Sequence, residues 1–86
     1  MELRFWRTKG GAEVDFVIEK DGKLIPVEVK SSTRCTPGKS LISFSKKYGC
    51  ESAYVFYKGN LKVIERESTN FIFLPAYLAG VLEELL

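Results

Sequence analysis

The sequence predicts a small α/β domain with the element order β-β-β-α-β-β-α. Three observations support this prediction: two early runs that alternate polar and apolar residues, the Asp21-Gly22 pair between them, and apolar residues at helical spacing further along. The chain has 86 residues, a length that fits one small domain, so we expect residues 1–86 to form a single unit.

The first part of the chain is predicted to form a three-stranded antiparallel meander. Residues 3–7 and residues 13–19 alternate in polarity, and residues 24–30 form the returning strand. An Asp-Gly pair between alternating runs is a strong signal for a two-residue hairpin turn. We therefore expect consecutive strands of this part to lie side by side.

The turn at Asp21-Gly22 also predicts which residues face each other. A two-residue loop places Asp15 opposite Glu28 and Glu13 opposite Lys30. Side chains on a strand alternate between the two faces, so these four share one face. The other face is entirely apolar and is expected to be core; it carries Val14, Phe16, Ile18, Ile25, Val27 and Val29.

A helix is predicted after the meander. Thr36 is a candidate N-cap, Pro37 suits the first turn, and Gly49 is a natural stop. The apolar positions and one serine recur at helical spacing: Leu41, Phe44, Ser45 and Tyr48.

Two further strands and a last helix complete the prediction. The strands are expected at residues 52–57 and 61–65, with a turn between them. The C-terminal helix has Pro75 near its start and an apolar stripe made of Leu74, Tyr77, Leu78, Val81, Leu82 and Leu85.

Asp15 and Glu28 are candidate metal ligands. Two carboxylates directly opposed on neighbouring strands repel each other, so a compensating cation is expected. The sequence contains no histidine, which leaves oxygen ligands and favours Mg²⁺ or Mn²⁺. Lys30 on the same face is a second compensating charge, suited to stabilising a phosphate oxygen. The alternative is a solvent-exposed polar face of a hairpin, where Glu and Lys are common.

A basic segment follows the hairpin. The stretch between Val29 and Cys50 contains five cations and no acidic residue. Such a segment fits phosphate binding, although a solvated helix face explains the same pattern. The candidate nucleic-acid-binding residues are Arg34, Lys39, Lys46 and Lys47.

Several classes of function and location find no support in the sequence. No apolar run approaches the roughly 20 residues that span a bilayer, and the N-terminus lacks a signal-peptide pattern. Cys35 and Cys50 have no metal-ligand spacing and are predicted to be free thiols, which favours a cytoplasmic location. The phosphate-loop pattern G-x-x-x-x-G-K-[ST] does not occur, so ATP binding is not assigned to this chain.

Asp15, the hairpin after it, and then Glu28-Val29-Lys30 resemble the PD-(D/E)XK nuclease superfamily. Residues 5–17 and 25–32 are similar to the C-terminal domain of many archaeal and bacterial AAA-type ATPases, a family without an assigned function. The similarity includes Ser43-Phe44 and Leu74-Pro75, so it covers nearly the whole chain.

The resemblance implies a restriction-endonuclease-like αβββαβ core with its active site at the first hairpin. By position, Asp15 and Glu28 would bind the metal, and Lys30 would orient water or steady the phosphate. Many members also use a glutamate from a helix before the first strand. This chain starts at that strand, so Glu13 is the candidate replacement.

The resemblance also implies a function and partners. We expect divalent-metal-dependent hydrolysis of DNA phosphodiester bonds by a C-terminal fragment of a longer ATPase, with DNA and the upstream ATPase domain as partners and no membrane association. The alternative is a non-catalytic module with the nuclease fold that binds DNA or protein, or assembles the parent ATPase. The sequence leaves the oligomeric state open.

Overall fold

The protein is built on one mixed β-sheet, as the computed structural model of residues 3–7 and 16–81 shows. Within these residues, six strands and one α-helix are present, followed by a short 3-10 helix at Ala76–Val81. The α/β class is therefore confirmed. The elements are β1 (Leu3–Arg7), β2 (Phe16–Lys20), β3 (Lys23–Val29), α1 (Lys39–Lys47), β4 (Ser52–Tyr57), β5 (Lys62–Arg66) and β6 (Thr69–Pro75).

Strands β1, β2 and β3 form the predicted antiparallel meander. The turn between β2 and β3 has φ of 52° at Asp21 and 79° at Gly22, the two positive values that a type I′ hairpin needs. Lys20 faces Lys23, and the register continues to Phe16 opposite Val27, as predicted. Asp15 and Glu13 lie outside the described residues, so their pairing with Glu28 and Lys30 stays a prediction.

Strand β3 lies inside the sheet, between β2 and β4. Helix α1 connects β3 to β4, which runs parallel to it. The strand order is β1-β2-β3-β4-β6-β5, with β3 parallel to β4 and β4 parallel to β6. Pro26 lies in β3 opposite Val17, at a position where alternation predicts no hydrogen bond to β2. The pairs with β4 begin at Val27, so the missing N–H of proline disturbs neither ladder.

Helix α1 begins two residues later than predicted and ends as predicted. Gly38, not Thr36, is the N-cap, and its carbonyl accepts the N–H of Ile42 at 3.0 Å. The prediction that Thr36 caps this helix is therefore wrong. At the other end, Cys50 donates its N–H to the carbonyl of Ser45 at 2.9 Å, and Gly49 has φ of 62°. This is the Schellman arrangement, which favours glycine.

The sheet is buried on both faces. One core lies under α1, and the other lies on the opposite face, where Ala76–Val81 contacts β4 and β6. The predicted core face is confirmed at Ile18 and Val27, but Phe16 is 38% exposed and Val29 49% exposed. In the described part of the chain, the 3-10 helix covers the β4–β6 side of this face, which leaves more of the β2–β3 side open.

The end of the chain differs from the prediction. Strand β4 is confirmed, the predicted strand at 61–65 lies at Lys62–Arg66, and a further strand, β6, is not predicted by the sequence. Leu74 and Pro75 end β6 instead of starting a helix, and Ala76–Val81 is a 3-10 helix. The apolar run Phe71–Leu74 pairs between β4 and β5 with both of its faces covered, which removes the alternation that would have marked a strand.

Residues 82–86 lie outside the described part, as does that portion of the predicted C-terminal helix. Within residues 3–7 and 16–81, no helix has the length and apolar character required to cross a bilayer.

Candidate active site

Glu28 and Lys30 lie at the carboxyl end of the central strand β3. Glu28 is opposite Val55 of β4. Beyond the last strand residue, the N–H of Lys30 donates to the carbonyl of Phe56 at 2.8 Å, so the pairing with β4 continues to Lys30. Both residues therefore extend from a hydrogen-bonded backbone toward the face that α1 covers.

The carboxylate of Glu28 is partly buried and bonded to the start of α1. Its Oε1 accepts the backbone N–H of Gly38 at 3.1 Å. Gly38 is the N-cap and provides no side-chain cap of its own, so Glu28 satisfies a donor that a capping side chain often satisfies in other helices. The positive end of the helix dipole also favours a negative charge here. Glu28 therefore does not lie on a fully solvent-exposed polar face.

The side chain of Lys30 contacts the same segment. Its ammonium group donates to the backbone carbonyl of Thr36. Glu28 and Lys30 are therefore both bonded to Thr36–Gly38, one through an N–H group and the other through a carbonyl group. The segment joins the two polar side chains of the E-x-K triplet to the start of α1.

An open groove of about 500 Å³ lies beside Lys30. Its lining contains three cationic side chains and no carboxylate, although Glu28 lies directly behind Gly38. The lining residues are Val29, Lys30, Ser31, Ser32, Arg34, Thr36, Pro37, Gly38 and Lys39. A groove lined by cationic and hydroxyl-bearing residues suits a phosphate group.

The four predicted nucleic-acid-binding residues fall into two groups. Arg34 and Lys39 are exposed and line the groove. Lys46 and Lys47 lie in the last turn of α1, about 10 Å further along the helix axis. Lys46 approaches Glu67 at 3.9 Å, and the ammonium of Lys47 lies 5.4 Å from the ring centroid of Tyr48. The structure therefore brings Arg34 and Lys39 to the site and places the other two at the far end of α1.

The loop between β3 and α1 is fastened to the end of β4. The N–H of Lys58 donates to the carbonyl of Ser32 at 3.0 Å. Cys35 packs against the core under α1, close to Tyr57, whose hydroxyl donates to the carbonyl of Asn60 at 2.6 Å. Burial raises the pKa of Tyr57, and the neighbouring Cys35 thiol raises this pKa further. The loop between β3 and α1, which forms one wall of the groove, is therefore held in place by these contacts.

Two other groups, Cys50 in the core and the partly buried Tyr54, also have a raised pKa. Burial raises the pKa of Cys50 and the pKa of Tyr54, because the charged form of each is poorly solvated. Cys35 and Cys50 are free thiols, as predicted.

The predicted metal site is only half described. Glu28 belongs to the described residues, whereas Asp15 and Glu13 do not. Within residues 16–81, no three His, Cys, Asp or Glu side chains are grouped so that they could hold a metal ion. The metal-ligand set Asp15 and Glu28, and the replacement role of Glu13, stay predictions.

Gly38 is the site residue that the sequence interpretation misses, and Thr36 contributes its backbone carbonyl instead of the predicted cap. The sequence suggests a cap at Thr36 and gives no role to Gly38. A weak signal is present: a helix that begins after Pro37-Gly38 has no capping side chain at its first position, so the cap must come from elsewhere. Nothing in the sequence indicates that Glu28 supplies it.

The comparison with curated proteins gave no match. A family model described as Domain of unknown function (DUF4143) matches residues 1–77. The match covers the hairpin, the groove and all six strands. This domain is commonly found at the C-termini of AAA-type ATPases. The chain therefore belongs to the family of the Domain of unknown function (DUF4143).

Proposed function

We propose that this chain is a PD-(D/E)XK nuclease-like domain that hydrolyses DNA phosphodiester bonds with a divalent metal ion, attached to an AAA-type ATPase. The restriction-endonuclease-like fold is part of this proposal. So is its cytoplasmic location. The presence of the family at the C-termini of AAA-type ATPases supports the link to an ATPase.

One observation supports the proposal most directly. Glu28 and Lys30 come from one strand, lie on one face and are both held by Thr36–Gly38 beside a cationic groove. An ammonium group at the wall of a groove with room for a phosphate, and a carboxylate held directly behind that wall, are suited to phosphoryl chemistry, because such sites act by positioning and by electrostatic stabilisation.

The residues of the groove have separate roles in this proposal. The ammonium of Lys30 exchanges the carbonyl of Thr36 for an oxygen of the scissile phosphate and stabilises the charge that develops there. Arg34 and Lys39 bind neighbouring phosphates and hold the DNA backbone along the groove. These contacts position the DNA backbone and do not themselves read bases.

The donor set fits a hard divalent cation. Glu28 supplies carboxylate oxygens directly behind Gly38 of the groove wall, and Asp15, the residue before β2, is its predicted partner. Carboxylates are the ligands that Mg²⁺ and Mn²⁺ prefer. Bound by these two residues, the cation would supply Lewis acidity at a phosphate oxygen.

A non-catalytic role is the second candidate, and the Glu28–Gly38 hydrogen bond favours it. Because Glu28 stabilises the start of α1, its presence has a structural explanation that needs no metal. A module of this kind would keep the nuclease fold and bind DNA or protein, or assemble the parent ATPase.

Metal binding and DNA cleavage test the two candidates together. We would titrate Mn²⁺ and Mg²⁺ into the protein, follow the backbone amide signals of Asp15 and Glu28, and assay plasmid nicking. The proposal predicts saturable shifts at millimolar metal and nicking that is abolished in Asp15→Ala, Glu28→Gln and Lys30→Met.

Two matched variants control for the removal of charge. Glu51→Gln removes a carboxylate at the opposite end of the sheet, where Glu51 pairs with Lys23, and Lys62→Met removes an ammonium from the edge strand β5. Both should nick as the wild type does. An absence of shifts at millimolar metal would reject the metal site and leave the non-catalytic role. Nicking that survives Asp15→Ala would assign the activity to another site or a contaminant.

A further inference from the structure

Gly38 has a backbone conformation that does not require glycine. Its φ is −67° and its ψ is 154°, which is extended backbone that any residue adopts. The N-cap position favours glycine as well as Ser, Thr, Asp and Asn, so the helix position alone does not select glycine over these residues. What distinguishes glycine at position 38 is the space that its missing side chain leaves.

The space at Gly38 is filled by Glu28. A Cβ built on Gly38 would lie 2.7 Å from Oε2 of Glu28, and 3.3 Å from both its Cδ and its Oε1. All three nearest atoms belong to this one carboxylate. A side chain at position 38 would push Glu28 away and weaken the 3.1 Å bond from the Gly38 N–H to Oε1.

We propose that Gly38 is a positioning residue of the candidate active site: its N–H and its missing side chain together fix the carboxylate of Glu28. Oε1 is bonded to the N–H, and Oε2 is the oxygen that a Cβ would displace most. The helix start therefore holds the carboxylate in one orientation. The purpose of this orientation, a defined oxygen for the divalent cation, rests on the proposed function.

This arrangement makes a quantitative prediction for metal binding. Removing a group that orients a metal ligand through a hydrogen bond typically changes metal affinity about 10- to 100-fold. Gly38→Ala should weaken Mn²⁺ binding by at least about tenfold on the same grounds. The substitution adds one methyl group and removes no charge, so electrostatic attraction of the cation is otherwise unaltered.

A double-mutant cycle tests the positioning without relying on the metal. We would measure urea unfolding midpoints of the metal-free wild type, Gly38→Ala, Glu28→Ala and the double variant. Gly38→Ala should lower the midpoint of the wild type and leave the midpoint of Glu28→Ala unchanged or higher, because the displaced carboxylate is then absent. If Gly38→Ala does not fold, the double variant must still fold.

Gly59 offers a matched control. A Cβ there would lie 2.5 Å from Cζ of Tyr57, so Gly59→Ala introduces the same methyl group into a more crowded place that does not involve Glu28. Its effect on the midpoint should be the same with and without Glu28, and its Mn²⁺ affinity, measured by calorimetry, should match the wild type.

The outcomes separate the positioning from the proposed function. An equal drop in midpoint for Gly38→Ala in both backgrounds would overturn the inference. So would wild-type Mn²⁺ affinity in a folded Gly38→Ala. If the wild type binds no Mn²⁺, the metal site fails, and the cycle alone then decides whether Gly38 positions Glu28.

Discussion

The backbone N–H of Lys30 lies 2.8 Å from the carbonyl oxygen of Phe56, to which it donates a hydrogen bond. This bond extends the parallel pairing of β3 and β4 past the last assigned residue of β3. The E-x-K triplet is therefore part of the sheet and not of the loop that follows. Sites on such a scaffold hold their side chains more precisely than sites on loops, so substitutions at Lys30 should change chemistry more than structure.

The two groups of cations should differ in how much they strengthen DNA binding. Removing one cation that binds a phosphate reduces the slope of log K against log salt by about 1. We expect this change for Arg34→Gln and for Lys39→Gln, which line the groove. Fluorescence anisotropy with duplex DNA at several salt concentrations measures the slope.

Lys62→Gln, on the edge strand β5, is the control for the same change of charge and should leave the slope unaltered. If Lys62→Gln reduces the slope as much as Arg34→Gln, DNA does not bind specifically in the groove. Lys46→Gln should have a smaller effect than Lys39→Gln, because Lys46 lies near Glu67 at the other end of α1.

The first hairpin could be predicted from the sequence because its register is set locally. Asp21-Gly22 takes the two positive φ values of a type I′ turn, and a turn of fixed length determines every later pair. The pairing of β2 with β3, as far as Phe16 and Val27, followed from this one turn. The end of α1 at Gly49 could also be predicted from the local sequence, because glycine favours this position after a helix.

The parts of the fold and of the candidate site that were not predicted had no recognisable local signal in the sequence. The turn between β5 and β6 also has two positive φ values, but at Glu67 and Ser68, which gave no glycine or asparagine signal. The contact of Glu28 with Gly38 joins residues from a strand and a helix start, and neither periodicity nor turn chemistry indicates it. The sequence therefore predicted Glu28 and Lys30 but not the segment that holds them.

Ser68→Gly should stabilise the fold. Ser68 has φ of 70°, and a left-handed conformation costs a residue other than glycine roughly 1–2 kcal/mol. Glycine removes this strain but adds about 0.4–1 kcal/mol of unfolded-state entropy. We expect a net gain of about 0.5 kcal/mol in the free energy of unfolding, measured with urea.

Gly22→Ala is the opposite test in the other hairpin. Gly22 has φ of 79° with no heavy atom of the described residues within 4 Å of an added Cβ, so its effect combines backbone strain with the unfolded-state entropy that alanine removes. It should destabilise by about 0.5 kcal/mol net. A stabilising Gly22→Ala or a destabilising Ser68→Gly would contradict the left-handed turns.

Alkaline pH should destabilise the protein through Tyr57. Burial, together with Cys35, raises the folded-state pKa of Tyr57 above its ordinary value of 10.0. Above pH 10 the unfolded chain therefore releases a proton that the folded chain retains. The unfolded state then binds fewer protons, so the free energy of unfolding falls as pH rises. The stabilisation is complete below the unfolded pKa and disappears as pH rises through the folded pKa.

Tyr57→Phe isolates this contribution. At neutral pH the variant should be less stable than the wild type, because it cannot form the bond to the carbonyl of Asn60. The difference should shrink above pH 10, since only the wild type has the phenol at position 57. Urea unfolding at a series of pH values measures it; parallel curves up to pH 11 would contradict the prediction.

Ser45→Ala should also stabilise the fold. Ser45 is 1% exposed in α1, and its Oγ has no hydrogen-bond partner among the residues that the structure describes. A buried hydroxyl without a partner costs about 1–3 kcal/mol, and alanine is the better helix former by a few tenths of a kcal/mol. We expect the free energy of unfolding to rise by about 1 kcal/mol, since the small cavity left by the oxygen offsets part of the gain.

Ser43→Ala, at an exposed position of the same helix, is the control and should add only the few tenths of a kcal/mol that helix propensity provides. A decrease in stability in Ser45→Ala would mean that the hydroxyl has a partner such as a buried water, and equal gains in both variants would assign the effect to propensity alone.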